Sequence, residues 1–524
     1  MGTELDHHDI QGNILKGYAR LGYPMARYVF YRIRNKTAGR KFVAALHPLV
    51  TSGVPWARSG NPEEFPAATT NLAFTFRGLE MLGVPQKSLS SFPQEFVMGM
   101  KARWEILGDD GVSAPSNWDP IWQAEEPVHI WLSINGLGVD GRQAIERRYQ
   151  AICDILQGIV TDYPDGVEQL RGHRDADGKT AVYQEASALF ENGKPIPREH
   201  FGYVDGISDP YFEGCDRRPE KVLGMGKPTG HDPRTLEGWA PLETGEFILG
   251  YKDEAYEYPL APLPRLLSFN GTFMVYRKLH ENVGSFNAYL DDVGKRLPDG
   301  PEQLAAKFAG RWRNGAPLTT FRTKAEADEF AARVAQARAN NSPELPQLLA
   351  QLVAFDYNDD LAGAGCPVGA HVRRANPRGA LAFGKPEAYQ APGALVNRRR
   401  IGRRGLPYGE VSNPTRDDGN HGIIFMAINA SIERQFEFVQ QQWMNYGNDF
   451  KLGSSKDALI GNHGDPARGE LSGHAIFEAD PDGDSAPFFC GGIRRFVETR
   501  GGDYFFLPSL TALRMMSEGI VDPT

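Results

Sequence analysis

The chain of 524 residues carries 57 Lys and Arg against 66 Asp and Glu, a formal net charge of −9, and is 41% apolar. That length implies about two to four compact units, with enough apolar residues for real cores. The acidic balance excludes nucleic acid as the main partner, because binding along a phosphate backbone wants a basic face.

The opening, Met1 to Asp9, is polar and acidic. It lacks the basic stretch and apolar core of a secretory signal, so a cytoplasmic location is expected. Asp6-His7-His8-Asp9 could chelate a metal, but near a terminus it reads as a solvated, mobile patch. Strands enriched in β-branched and aromatic residues follow at Tyr28 to Ile33, Leu72 to Phe76 and Val128 to Ile134. In the third, Val128, Ile130, Leu132 and Ile134 alternate with His129, Trp131 and Ser133, which reads as a strand buried on one face. Gly136-Leu-Gly-Val-Asp-Gly141 then matches a dinucleotide fingerprint, with Asp162 as its distant acid. The alternating strand before it, and the lack of a second strand-helix-strand series, reduce it to an ordinary glycine loop.

From Arg142 to Ile159, apolar residues recur every three or four positions (Ile145, Tyr149, Ile152, Leu156, Ile159), which predicts a helix. Residues 214 to 245 are rich in Gly, Pro and charge and read as a connection. Strand patterns return at Glu246 to Tyr251, Thr272 to Tyr276, Gly422 to Ile428 and Tyr504 to Leu507. Lys324 to Ala337 is alanine-rich and helical, and 285 to 365 reads as a helical insertion in the second unit. One-sided strands mixed with helices predict antiparallel α+β layers in two related units. No apolar run approaches the roughly 20 residues of a spanning helix, so no membrane partner is expected. Cys153, Cys215, Cys366 and Cys490 are scattered without a CxxC pair, which argues against a zinc site or disulfide framework and suits a reducing compartment.

Three short stretches carry chemistry. In Phe201-Gly-Tyr-Val-Asp-Gly-Ile-Ser-Asp-Pro210, Asp205 sits among turn formers, either as a solvated turn carboxylate or as one held at a cavity edge. In Gly369-Ala-His-Val-Arg-Arg-Ala-Asn-Pro-Arg378, His371 lies among Arg373, Arg374 and Arg378, which could receive an anionic cofactor; a lone histidine is more often simply structural. The third is Arg400-Ile-Gly-Arg-Arg-Gly-Leu-Pro-Tyr-Gly409, where Arg403 would otherwise read as a surface ion pair. Basic clusters such as Arg398 to Arg400 and Arg403-Arg404 should meet a small anion or acidic side chains. Cys366-Pro367 could present a thiolate to haem iron, but a buried free cysteine is the commoner outcome.

The order GxxDG, HxRxxNPR, IxRRGxxYG resembles the dye-decolourising peroxidase family. Asp9-Ile-Gln-Gly-Asn-Ile-Leu-Lys-Gly-Tyr18 and Gly501-Gly-Asp-Tyr-Phe-Phe-Leu-Pro-Ser509 are similar to its opening and closing segments, so the resemblance spans nearly the whole chain. It implies two ferredoxin-like units, at 1–213 and 246–524 with 214–245 between them, and the longer intracellular subclass. It also implies one non-covalent haem b per chain, covalent attachment being unlikely without CxxCH. His371 would be the iron ligand, with Asp457 of Lys456-Asp-Ala-Leu-Ile-Gly461 as its carboxylate partner and Asp449 as the alternative. Asp205 would shuttle the proton of hydrogen peroxide, Arg403 would stabilise the departing hydroxide, and Ile423 and Phe425 would wall the pocket, unless they are plain strand core. Bulky aromatic donors would be oxidised by one-electron steps at surface Tyr or Trp, by a monomer or a homo-oligomer. The rival readings are a haem carrier or sensor on the same fold, which needs neither Asp205 nor Arg403, and a cofactor-free interaction protein. An acidic patch at Asp480 to Asp484 could bind Mn²⁺.

Overall fold

The computed structural model describes residues 4–56, 65–175, 178–216, 218–381, 393–464, 469–477 and 486–521. The first half builds on aromatic and β-branched runs that favour extended backbone. Its strands are β1 (Met25–Ile33), β2 (Ala68–Phe74), β3 (Ile130–Gly136) and β4 (Val167–Gln169), paired in the order β2-β3-β1-β4, with Gln184–Ser187 (β5) added to β1. Helix α1 (Lys36–Leu46) joins β1 to β2. Its N-terminus is capped by the Asn35 side chain, which accepts the Ala38 N–H at 3.0 Å, and it buries Phe42, Val43 and Leu46. Helix α2 (Gly141–Asp162) joins β3 to β4 and buries Ala144, Ile145 and Ile152. Two such crossovers on an antiparallel sheet of this order make a ferredoxin-like unit.

The second half repeats the plan. Strands β6 (Thr272–Glu281), β7 (Gly402–Arg403), β8 (Leu406–Tyr408), β9 (Gly422–Asn429) and β10 (Val497–Leu507) pair as β7-β9-β6-β10, with β8 also on β9. The connection from β6 to β7 carries helices α3 (Val283–Gly294), α4 (Gly300–Ala309), α5 (Lys324–Ala339), α6 (Leu345–Gln351) and α7 (His371–Ala375). Two π-helical turns, Ile432–Glu437 and Val439–Met444, follow β9, and α8 (Leu510–Glu518) closes the chain. The half-sheets join at one residue pair, Phe506 with Phe74, so ten strands form a single sheet. Among the described residues no helix is long and apolar enough to cross a membrane.

Three local readings change. Glu246 to Tyr251 is a coiled turn rather than a strand. Gly245 packs so tightly that a Cβ there would lie 2.3 Å from the Tyr251 carbonyl, and Gly250 adopts φ +92°, which together bend the segment. Phe247, Ile248 and Leu249 are fully buried, so their apolar run reported burial and not extension. Strand β3 is buried on both faces, because Trp131, Ser133 and Asn135 sit under neighbouring layers, with Asn135 donating to Thr69 at 3.2 Å. Its antiparallel pairing to β1 and β2 still separates it from a dinucleotide-binding sheet, and Gly136 and Gly141 serve a close backbone approach at the turn into α2. The opening patch is not loose. Asp9 accepts hydrogen bonds from Asn270 and the Thr511 N–H, both at 2.8 Å. Asp480 to Asp484 lie outside the described residues.

Phe506 is fully buried at the junction, with Phe92 and Phe273 ring centroids 5.5 and 5.7 Å away. Phe506→Ala should therefore cost about 3–5 kcal/mol, measured as a lower denaturant midpoint at unchanged slope.

Candidate active site

Asp205 is carried by a short antiparallel hairpin. Its N–H donates to Pro197 at 2.9 Å, Arg198 bridges Val204, and the Glu199 N–H donates to Tyr203 at 3.1 Å. The hairpin is anchored from Val204 to Arg313 of the helical connection at 3.1 Å, and by the Tyr203 hydroxyl donating to Ala305 of α4 at 2.7 Å. Gly206, at φ +75°, lets the chain turn immediately after Asp205, and its N–H donates to the Asp205 carboxylate at 2.6 Å.

Arg403 comes from the sheet. In β7, Gly402 pairs with Ile428 and Arg403 with Ala427, which fixes the arginine backbone against β9. Its guanidinium donates to Asp205 at 2.7 Å, with the side chains 42% and 48% exposed. The Arg403 N–H donates to Asp209 at 3.1 Å and Arg404 donates to the same carboxylate at 2.7 Å, a second tie between hairpin and sheet edge. Ile423 and Phe425 alternate along β9 with the buried Gly422, Ile424 and Met426, and remain partly exposed. Phe425 rests against the buried Phe436, ring centroids 6.0 Å apart.

His371 opens α7, which packs on the Val439–Met444 turn. Its Nδ1–H donates to the fully buried Asp457 at 3.1 Å. Asp457 also accepts the Leu459 and Ile460 N–H groups at 2.9 and 2.8 Å, while Asp449 is engaged elsewhere, accepting the Trp443 indole N–H at 3.0 Å. One apolar cluster containing Phe201, Tyr203, Leu304, Ala305, Ala458 and Leu459 connects the hairpin with the Asp457 segment.

The arginines after His371 do not line the site. Arg374 is fully buried and donates to the carbonyls of Gly369, Trp443, Tyr446 and Ser455. Arg373 serves Asp360 and Cys366, and Arg378 serves Val353 and Phe355. They satisfy loop carbonyls that burial would otherwise leave unpaired, which no count of charges reveals. Arg398 meets Asp253 at 3.0 Å, as an acidic partner was expected to do. Cys366 is buried against Gly310, and burial pushes its thiol up to about 11. Burial likewise raises Cys215 and Cys490 to about 12 and lifts Cys153 above its ordinary value. A cavity of about 310 Å³ lined by Asp119, Arg174, His280, Asn420 and Arg500 contains none of these residues.

Burial works to raise the Asp205 carboxyl, but the Arg403 charge, the Gly206 N–H and Arg20 outweigh it and hold it below the ordinary value. Arg403 is raised, chiefly by Asp205. Asp457 balances in the same way: burial is overcome by His371, then Arg374 and the Ile460 N–H, leaving a lowered pKa. The residues suit a haem. His371 has one nitrogen committed to a carboxylate, and among the described residues no hydrogen bond reaches the other, which is how an imidazole ligand is prepared for a metal. Sequence reading passes over Glu199, whose carboxylate closes the hairpin tip; an isolated acid in a polar stretch gives no signal of burial.

A family model described as the DyP dimeric alpha+beta barrel domain matches residues 9–171. A dye-decolorizing peroxidase of Mycetinis scorodonius is 27% identical, over 97% of this chain and 86% of that protein. The multifunctional dye peroxidase of an Amycolatopsis species is also 27% identical, over 98% of this chain and 96% of that protein. The solved structure of an ancestral D-type dye decolorizing peroxidase superposes with a TM-score of 0.73 at 26% identity, covering 98% of this chain and 99% of that one.

Because the folded pKa of Asp457 is depressed, its contribution to stability is complete above its ordinary value of 3.8 and is lost as pH falls through the lowered folded value. Asp457→Asn should be less stable at neutral pH, yet lose less further stability on acidification below about pH 4, as measured by denaturation at a series of pH values.

Proposed function

This chain belongs to the dye-decolourising peroxidase family, and we propose that Asp205, Arg403 and His371 are the residues by which it works as a peroxidase. The observation that carries this reading is the 2.7 Å contact between Asp205 and Arg403, a base and a fixed cation held together where β7 pairs with β9, the strand that also carries Ile423 and Phe425. The group these residues would hold is haem b, bound non-covalently and one per chain, which would supply the redox chemistry for the reduction of hydrogen peroxide. His371 would hold it through the ring nitrogen not committed to Asp457, and Asp457 accepts the Nδ1–H, which fixes the tautomer and makes the imidazole more electron-rich. Ile423 and Phe425 would form an apolar wall of the haem pocket.

Asp205 would take a proton from hydrogen peroxide and return it to the oxygen that departs as water. Arg403, permanently charged, stabilises the negative charge that gathers on the departing oxygen. The electrons come from bulky aromatic donors such as dyes and phenols, one at a time. A carrier or sensor that merely held haem would need neither Asp205 nor Arg403, and their contact supports turnover over storage.

His371→Ala should yield a folded protein largely without haem, and a normal Soret absorbance in that variant would move the iron ligand elsewhere. Arg403→Leu and Asp205→Asn should each slow the stopped-flow reaction with peroxide by about 100-fold or more. Wild-type rates in both would leave a haem-binding protein with no assigned peroxidase chemistry. Since Arg403 keeps Asp205 ionised below the ordinary carboxylate pKa, the peroxide reaction should persist well into acid. A rate that falls below about pH 6.5 with one histidine-like ionisation would name a histidine as the base.

A further inference from the structure

Behind Asp205 lies a pair of acids with no part in the steps above. Glu199 sits at the turn of the hairpin, where its two carboxyl oxygens accept the N–H groups of Phe201 and Tyr203, both at 2.7 Å. These charge-assisted bonds close the hairpin tip, and Gly202, at φ +93°, completes the turn by donating to the Glu199 carbonyl at 2.9 Å. From the facing element comes Glu281, the last residue of β6: its N–H donates to the His421 carbonyl at 3.2 Å and the His421 ring lies 5.2 Å from that of His200, which sets the buried Glu281 Oε2, without a hydrogen-bond partner among the described residues, toward the Glu199 carboxyl. Both residues are buried, at 8% and 4% exposure.

The surroundings supply little compensating charge. Glu199 and Glu281 act on each other, and Asp205 adds a further negative charge to both. Arg403 is paired with Asp205, Arg313 with Glu302 at 2.8 Å, and Arg500 with Glu498 at 2.5 Å. His200 and His280 are pushed down to about 4, first by burial, and His421 is lowered by the same cause, so the nearby histidines are neutral at pH 7. Two buried carboxyls in contact cannot both ionise under these conditions. Glu199 already accepts two N–H bonds and is the better carboxylate, which makes Glu281 the acid that donates to it. Burial and Glu199 together raise Glu281 well above its ordinary value.

We propose that Glu199 and Glu281 are a positioning pair: one shared proton keeps the carboxyls in contact, the contact keeps the hairpin tip closed, and the closed hairpin carries Asp205 to Arg403. The proposal rests on the role given to Asp205, but the state of the pair can be read without it.

Infrared spectroscopy of the intact protein should show a protonated-carboxyl band that shifts in heavy water, persists at neutral pH and disappears in Glu281→Gln. In the stopped-flow reaction with peroxide, the wild-type rate should fall on the alkaline side as the pair loses its proton. Glu281→Ala, which removes the donor, should slow the reaction at least about tenfold without changing the KM for the dye. Glu281→Gln, whose amide still donates to Glu199 but does not titrate, should recover most of that loss and move the alkaline fall upward by at least about one pH unit. A merely structural glutamate would leave the pH profile where it was. The absence of the band, or a wild-type alkaline limb in Glu281→Gln, overturns the pair. Should either variant fail to fold, the band in wild-type protein labelled with ¹³C-glutamate decides alone, its shift on labelling being expected and its lack of shift fatal. An Asp205→Asn variant with normal peroxide kinetics would sink the functional reading while leaving the infrared result standing.

Discussion

A carboxylate and a guanidinium 2.7 Å apart, delivered by two segments that share no sheet, set the requirement that the surrounding structure meets. Each side is fixed by its own backbone. Arg403 is held by ladder pairing to β9, and Asp205 by a hairpin whose tip is closed by a side chain and whose flank is anchored to the helical connection. Asp209 then ties the segments a second time through the Arg403 N–H and the Arg404 guanidinium. An ion pair this exposed adds little to folding stability, since water and salt screen it. What the fold secures is its geometry, and that geometry comes from backbone hydrogen bonds of the hairpin and the sheet ladder.

The same division appears at the level of the sheet. Both halves arrange four strands in the same order with two crossovers, yet only the second expands its first crossover into a long helical connection. That connection supplies α7 with His371, the α4 carbonyl that receives Tyr203, and the anchor for the hairpin. The first unit carries none of these; it contributes Asp205 on the hairpin that follows its sheet, and Phe74, whose pairing with Phe506 of the second half makes the sheets continuous.

Much of this was legible from residue patterns. Long periodic elements such as α2 and α5 stand out because their apolar or alanine-rich spacing repeats over several turns, and the three motifs were readable because they follow one another in a fixed order. The misreadings share a cause: a sequence states what a side chain is, not what surrounds it. Arg373, Arg374 and Arg378 resemble an anion receptor until each is found buried against carbonyls. Phe247 to Leu249 resemble a strand until the flanking glycines bend them into a turn. Asp457 and Asp449 lie eight residues apart in one segment; the resemblance preferred Asp457 for His371, and in the fold Asp457 meets His371 while Asp449 meets Trp443. Glu199 was illegible for the opposite reason, because a buried acid looks like any exposed one.

The four thiols carry a consequence for a protein that consumes peroxide. Peroxide attacks the thiolate rather than the thiol, and the first product, a sulfenic acid, leads on to irreversible states. Burial holds Cys366 up to about 11 and Cys215 and Cys490 to about 12, and also raises Cys153. At neutral pH a thiol with a pKa near 11 is ionised in only about one molecule in ten thousand. The packing that buries Cys366 and Cys490 thereby shields those sulfurs from the oxidant, even at Cys366, five positions from His371.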